Sequence, residues 1–435
     1  MAGRRRGRAP VPQQGAGPSP PADTALSSRE VTTVERTSKN ACPASASTSL
    51  PLSGPHVCAD LLDSLLQEIL LHEIIALFDS FHDFLAFIGT CRSWRAAVST
   101  FPYVHTFSFP PLHFKPDGPY VHPHNGPIKP ILLSNCKWQL SDPGKKNSSL
   151  ACSVPKSIPN KKMHYLGCSC GYLIFSYKEH CLLVDVYTGT KVTPPKLPRN
   201  NDLGYFCGIG ILTAPLISPN SRLLLFSRDS MFEWQVGTNS WSEHTLTLDG
   251  ELIYQIVFFK GDIFVVDAVL RLHTIHLKPQ FSMQELAIKK EFVPINSWLV
   301  VCGDMLLLID QGFSSGGLGG SSEAIFRVSR LNFSVEPAKW VKLDKLDNYA
   351  LFVSPDRRNP TFCCMSPERW GGKSNCIYFA RLTEDPDETW TAVKFGQPVP
   401  NSAVRSMLFY DISSPPDCGV LSSLWVFPSL VYGSG

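Results

Sequence analysis

Two hydrophobic periods divide this chain. Between residues 60 and 99, Leu62, Leu66, Leu70, Ile74 and Leu77 recur at spacings of four and three, and Ile69 and Ile75 widen the stripe. That spacing predicts an amphipathic helix. Asp79-Ser80 interrupts it, and Ser80 with Asp83 three residues on makes an approximate capping box for a second helix. The second helix carries Phe84, Phe87, Ile88, Cys91, Trp94 and Val98 on one side, and Arg92, Ser93 and Arg95 on the other. Two or three helices in so short a block bury little by themselves, so part of the stripe is expected to need an external partner.

After Pro102 the helical period disappears. Pro110-Pro111, Asp117-Gly118, Asp142-Pro143-Gly144 and Pro194-Pro195 punctuate short runs rich in Val, Ile, Leu, Phe and Tyr, which read as strands between turns. From about residue 160 the runs recur as a unit, beginning at Gly171, Arg222, Gly261, Gly303 and Asn375. The first three gaps are 51, 39 and 42 residues, and the last carries an insertion. A period near that length with hairpins inside each unit predicts a β-propeller, of about five to seven blades. Residues 103–160 and the C-terminal Leu424-Trp-Val-Phe-Pro-Ser-Leu are candidates for further strands and the closing seam. Trp241, Trp340 and Trp390 each end a unit and are expected to pack between blades. A lipocalin-like barrel or a sandwich is the alternative, and so long a stretch of strand suits it less well.

Composition changes the picture at the N-terminus. Residues 1–55 are dominated by Pro, Ser, Ala, Gly and Arg, without hydrophobic period, and read as a disordered tail. Its opening Met1-Ala-Gly-Arg-Arg-Arg-Gly-Arg is either a nuclear or transit signal or a plain solvated tail. Net charge is +3, and the tail carries more than all of it. The remainder is close to neutral, which excludes the single-sign field of a nucleic-acid binder. No apolar run approaches the length of a membrane helix. The 14 cysteines form no Cys-x-x-Cys pair and follow no secretory segment. Free thiols in a reducing compartment, cytoplasmic or nuclear, are the expectation.

Residues 66–95 resemble the F-box. The matching positions are Leu66, Glu68, Leu70, Leu71, Ile74, Leu77, Asp83-Phe84-Leu85 and Cys91-Arg92-Ser93-Trp94-Arg95. Gln67 stands where that family prefers Pro, a residue that pre-sets helix entry. The remainder resembles plant F-box proteins that carry a KIB-type, kelch-like β-propeller. Leu182-Leu-Val-Asp-Val-Tyr-Thr-Gly-Thr, Gly261-Asp-Ile-Phe, Asn375-Cys-Ile-Tyr-Phe and Trp425-Val-Phe-Pro-Ser-Leu carry that likeness. The resemblance implies a mainly β chain in three parts: tail 1–55, F-box 60–100 as a separate module, and propeller 103–435. It also implies a substrate receptor for an SCF-type ubiquitin ligase. Leu66, Glu68, Leu70, Ile74, Leu77, Phe84 and Trp94 would dock a Skp-type adaptor and, through it, a cullin scaffold, while the propeller holds an unknown protein target. No catalytic residue, cofactor, metal, nucleic acid or membrane enters that scheme. A propeller that sequesters a partner outside any ligase is the alternative.

Several motifs invite other chemistry. Gly167-Cys-Ser-Cys-Gly171 matches the serine-hydrolase pattern, but a strand follows where a helix is needed, so a turn between strands is expected. Gly316-Gly-Leu-Gly-Gly lacks the Lys-Ser or Lys-Thr of a phosphate loop. His105, His113, His122 and His124 cluster without a Cys or acidic partner at ligand spacing and read as exposed loop histidines. Asn147-Ser-Ser and Asn332-Phe-Ser fit the glycosylation sequon and, without an export signal, are expected to stay unmodified.

Overall fold

The units beginning at Gly171, Arg222 and Gly261 resolve into the same local solution, an antiparallel hairpin whose apolar side chains alternate between two neighbouring cores. A computed structural model of the chain describes residues 69–71, 73–91, 94, 109–116, 137–145, 149–153, 163–177, 179–198, 208–248, 251–289, 296–313, 323–380, 390–399 and 421–432. The chain divides into two compact units, Met1–Val57 and Cys58–Gly435, and every described residue lies in the second. The expected tail therefore falls outside the described residues.

The described strands form six sheets of four or five strands. The first combines β1 (Leu112–Pro116), β2 (Lys137–Ser141) and β3 (Ser149–Ser153) with the last strand of the chain, β25 (Leu424–Val426). The second is β4 (His164–Ser169), β5 (Tyr172–Tyr177), β6 (His180–Asp185) and β7 (Lys191–Val192). The third is β8 (Ile209–Leu212), β9 (Arg222–Phe226), β10 (Ser230–Gln235) and β11 (Ser242–Thr245). The fourth is β12 (Ile253–Phe259), β13 (Asp262–Asp267), β14 (Leu272–His276) and β15 (Ser282–Glu285). The fifth is β17 (Trp298–Cys302), β18 (Met305–Phe313), β19 (Ala324–Asn332) and β20 (Ala338–Lys342), with the short β16 (Ile288–Lys289) parallel at its edge. The sixth is β21 (Tyr349–Val353), β22 (Phe362–Met365), β23 (Cys376–Ala380) and β24 (Trp390–Lys394).

Strands β4, β8, β12, β17 and β22 pack successively against one another, and β25 lies against β21. The architecture is a six-bladed β-propeller, inside the expected five to seven. Its ring is closed by β25, which pairs antiparallel with β1 so that the first and last described strands share one blade. The barrel and sandwich alternatives are excluded by six separate sheets.

Burial follows the seams. Separate apolar cores lie between the second and third, third and fourth, fourth and fifth, and fifth and sixth blades. Trp241 and Trp340 pack into two of these inter-blade layers, as expected, and Trp390 packs into the large core shared by the first, second and sixth blades. The indole of Trp241 also donates to the Pro195 carbonyl at 2.9 Å.

The last repeat differs from its sequence reading. The starts at Gly171, Arg222, Gly261 and Gly303 mark the second strand of a blade, whereas Asn375 precedes the third strand of the sixth. There the chain lays down β21 in second position, turns inward to β22, and crosses over a 3-10 turn (Pro367–Trp370) to β23, parallel to β21. The long final gap is this inner hairpin.

The described part of the helical block packs into the propeller core. Helix α1 (Phe81–Thr90) buries Phe81, Phe84 and Phe87 in one core with Phe109, Trp138, Phe352 and Trp425 of the propeller. Each fully buried side chain of this kind contributes roughly 1.5–3 kcal/mol, so helix and blades stabilise one another. Residues 69–71 and 73–76 are also helical, and from them Leu71 and Ile75 enter the same core.

Candidate functional site

Ser80 is extended at the start of α1, where its side chain accepts from the Asp83 amide and donates to the Asp83 carboxylate at 2.7 Å. The Ser80 cap read from the sequence is therefore formed, with the Asp83 carboxylate accepting from the Ser80 hydroxyl. The Ser80 hydrogen bond holds the Asp83 carboxyl below its usual range, with Lys145 on the first blade adding to it. Phe84 lies 5.5 Å from Phe109, ring to ring, and Phe87 stacks on Trp94 at 4.4 Å.

With Leu71 and Ile75 turned inward, the opposite side of the helical segment faces water. Ile69, Leu70 and Leu77 are 57%, 61% and 66% exposed. Ile74 sits at the boundary, partly buried against the core. The segment ends at Leu77, whose carbonyl accepts from Arg369 of the sixth blade at 2.6 Å, beside a second bond from Arg369 to Ala76 at 3.3 Å. Cations favour the negative end of a helix, and here the cation comes from a residue almost 300 positions later. No local signal in the sequence marks Arg369.

The structure thus separates the candidate docking residues. Leu70 and Leu77 are presented together at the surface, with Ile74 beside them. Trp94 is partly buried against Phe87. Phe84 is fully buried against the propeller, which removes it from any docking surface; its aromatic ring is part of the intramolecular seam. Leu66 and Glu68 lie outside the described residues.

The propeller axis holds a second candidate surface. A cavity of about 1510 Å³ is lined by residues of β4, β8, β12 and β17, and Arg222, Lys260 and His276 also line it. Across it runs the connection from β21 to β22, residues 354–361, with Asp356, Arg357, Arg358 and Asn359 all buried. Buried charges persist when paired and hydrogen-bonded. Arg358 grips the Asp356 carboxylate through Nε and Nη2, at 3.0 and 2.6 Å, and donates to the Tyr165 carbonyl of the second blade. Arg357 donates to Ser297 at 2.7 Å and lies 5.1 Å over the Trp298 ring of the fifth. The connection ties three blades across the axis.

Gly167 permits this approach: a Cβ there would stand 2.7 Å from the Arg358 carbonyl oxygen. Its motif is the expected turn. Ser169 ends β4 and donates to the Leu212 carbonyl at 3.1 Å, and Cys170-Gly171 turn directly into β5 with positive φ. The strained strand-to-helix elbow of a hydrolase is not formed there. His113 departs from its reading as a loop residue. It sits in β1, fully buried between the rings of Trp390 and Trp425. Burial depresses its pKa to about 3, Lys115 adding to the effect, and neither ring nitrogen has a hydrogen-bond partner among the described residues. His105, His122, His124 and the glycine run at 316–320 lie outside the described residues. Among those described, no group of metal-ligating side chains converges, and no helix is long and apolar enough to cross a membrane.

Residues 139–411 match the KIB1-4 beta-propeller family, and the chain belongs to it. The F-box likeness of the helical block is not part of that match. No curated protein matches the sequence. Among solved structures, a chain of the yeast heterotrimeric Nup82-Nup159-Nup116 nucleoporin complex is similar at 12% identity and a TM-score of 0.25, over 41% of this chain and 44% of that one. The chain thus spans less than half the length of that relative.

Proposed function

We propose that this protein is a non-enzymatic substrate receptor: its helical block docks a Skp-type adaptor, and through it a cullin scaffold, while the propeller holds a target protein for ubiquitin transfer. The observation that carries this reading is the exposed trio Ile69, Leu70 and Leu77, two of whose members fall on F-box positions. Three bulky aliphatic residues on one short segment suit a groove on a partner better than water. Burying them would contribute roughly 5–9 kcal/mol, of the same order as the roughly 4–15 kcal/mol cost of association, so each anchor counts. Catalysis in this scheme is positioning alone, by raising the effective concentration of a target lysine near a thioester. The site of action would be the cytoplasm or nucleus.

One observation favours the alternative of a propeller that sequesters its partner outside any ligase. Leu71, Ile75 and Phe84, also on F-box positions or beside them, are spent on the propeller. Affinity for a purified Skp-type adaptor separates the two readings. The ligase reading expects binding by wild type, loss of it in Leu70→Ala/Leu77→Ala with an unchanged melting curve, and tighter binding in Gln67→Pro. Absence of wild-type binding under conditions where Gln67→Pro binds would favour sequestration.

A further inference from the structure

The inner strands of the fifth and sixth blades bring two thiols together from distant parts of the chain. Cys302 ends β17 and Cys363 lies in β22, separated by 61 positions, and their sulfurs are 2.7 Å apart. That is less than an ångström beyond the bonded separation of about 2.0 Å. The alternation of the strands explains the meeting. Val301, Gly303 and Phe362 face the axial cavity, so Cys302 and Cys363 between or beside them face the inter-blade core. Two further bonds tie β17 to the connection that leads into β22: Thr361 donates to the Leu299 carbonyl at 2.7 Å, and Trp298 to the Ser354 carbonyl at 2.8 Å.

We propose that Cys302 and Cys363 are a peroxide-oxidisable pair whose disulfide staples the fifth blade to the sixth. Cys363 is the less buried of the two residues, 9% exposed against 0% for Cys302, so the sequence of steps starts from Cys363. Its sulfur attacks one oxygen of hydrogen peroxide, the O–O bond breaks, water leaves, and Cys363 becomes the sulfenic acid. The Cys302 sulfur then displaces the hydroxyl from Cys363. The S–S bond forms, and the Cys302 proton leaves with that hydroxyl as a second water. Two thiols lose two electrons in all, and one peroxide gains them. The hydrogen bond to Cys302, with burial, keeps the Cys363 thiol well above its ordinary pKa. Oxidation is accordingly slow, unlike that of an exposed low-pKa sensor thiol. The staple also locks the strand that follows the axial connection, because β22 begins directly after residue 361.

The test uses the full chain, purified reduced, then treated with millimolar hydrogen peroxide, alkylated with N-ethylmaleimide in denaturant and digested without reductant. The expected product is a peptide pair joining Cys302 to Cys363 that dithiothreitol releases. Closing a loop of this length is expected to raise the thermal midpoint by roughly 5 °C, and Cys302→Ser and Cys363→Ser should each abolish the rise. The wild-type digest stands regardless of how those variants fold. Alkylation of both cysteines after oxidant, sulfinic acid at Cys363 without a cross-link, or a bond from Cys363 to another cysteine such as Cys364 would overturn the proposal.

Discussion

Arg369 donates to the Leu77 carbonyl at 2.6 Å, and so the sixth blade holds the end of the helical segment that presents Leu70 and Leu77. The helix end would otherwise leave its carbonyls to water. Arg369→Ala is expected to cost about 1 kcal/mol and to loosen that segment selectively. Hydrogen exchange should rise in peptides covering 69–78 and stay unchanged in the blades. Adaptor affinity, if the ligase reading holds, should fall severalfold alongside.

The closing strand sets the stability of the ring. Trp425 on β25 is fully buried, and its indole donates to the Tyr378 carbonyl of the sixth blade at 3.1 Å. Trp425→Ala should destabilise the protein by about 3–5 kcal/mol, read from denaturant midpoints. A chain ending at 420 lacks the fourth strand of the first blade and is expected to lose its cooperative melting transition.

Gly171 shows where the chain after β25 is seated. A Cβ at this position would stand 2.1 Å from the Ser429 amide nitrogen, and φ is +78°. Ser429 in turn donates to Asp185 of the same second blade. Gly237 has a similar φ of +89° and open space around it. Gly237→Ala should therefore cost only about 1 kcal/mol, and Gly171→Ala markedly more, because the Ser429–Tyr432 turn must move away. Thermal midpoints of the two variants, measured side by side, check the difference.

His113 makes stability depend on acid. The folded protein keeps this imidazole neutral down to a pH of about 3, whereas in the unfolded chain it takes up a proton near pH 6.5. Between those values the unfolded state binds more protons, so this stability contribution is complete above 6.5 and is lost as pH falls toward 3. The slope is about 1.4 kcal/mol per pH unit. His113→Phe retains an aromatic ring between Trp390 and Trp425 and removes two unpaired nitrogens. It should raise the denaturant midpoint at pH 5 more than at pH 8.

Much of the architecture follows from local rules. Strand-sized apolar runs between Gly and Pro turns, at a repeat near the length of one blade, require ring closure because a lone hairpin sheet has two faces to bury. Ser80 with Asp83 marks a helix start for reasons confined to four residues. Blade number and the packing of the helices are different. The inner strand β22 arrives by a reversed hairpin, which the period from Gly303 to Asn375 registers only as extra length. Leu70 and Leu71 are neighbours of equal hydrophobicity, yet one is 61% exposed and the other 6%. Periodicity defines a stripe on a helix but not which edge of it meets the propeller. That choice is made by Phe109, Trp138 and Trp425, and by Arg369, residues brought alongside only when the ring closes. The meeting of Cys302 with Cys363 has the same origin: it depends on which strands become neighbours around the axis, information carried by no spacing along the chain.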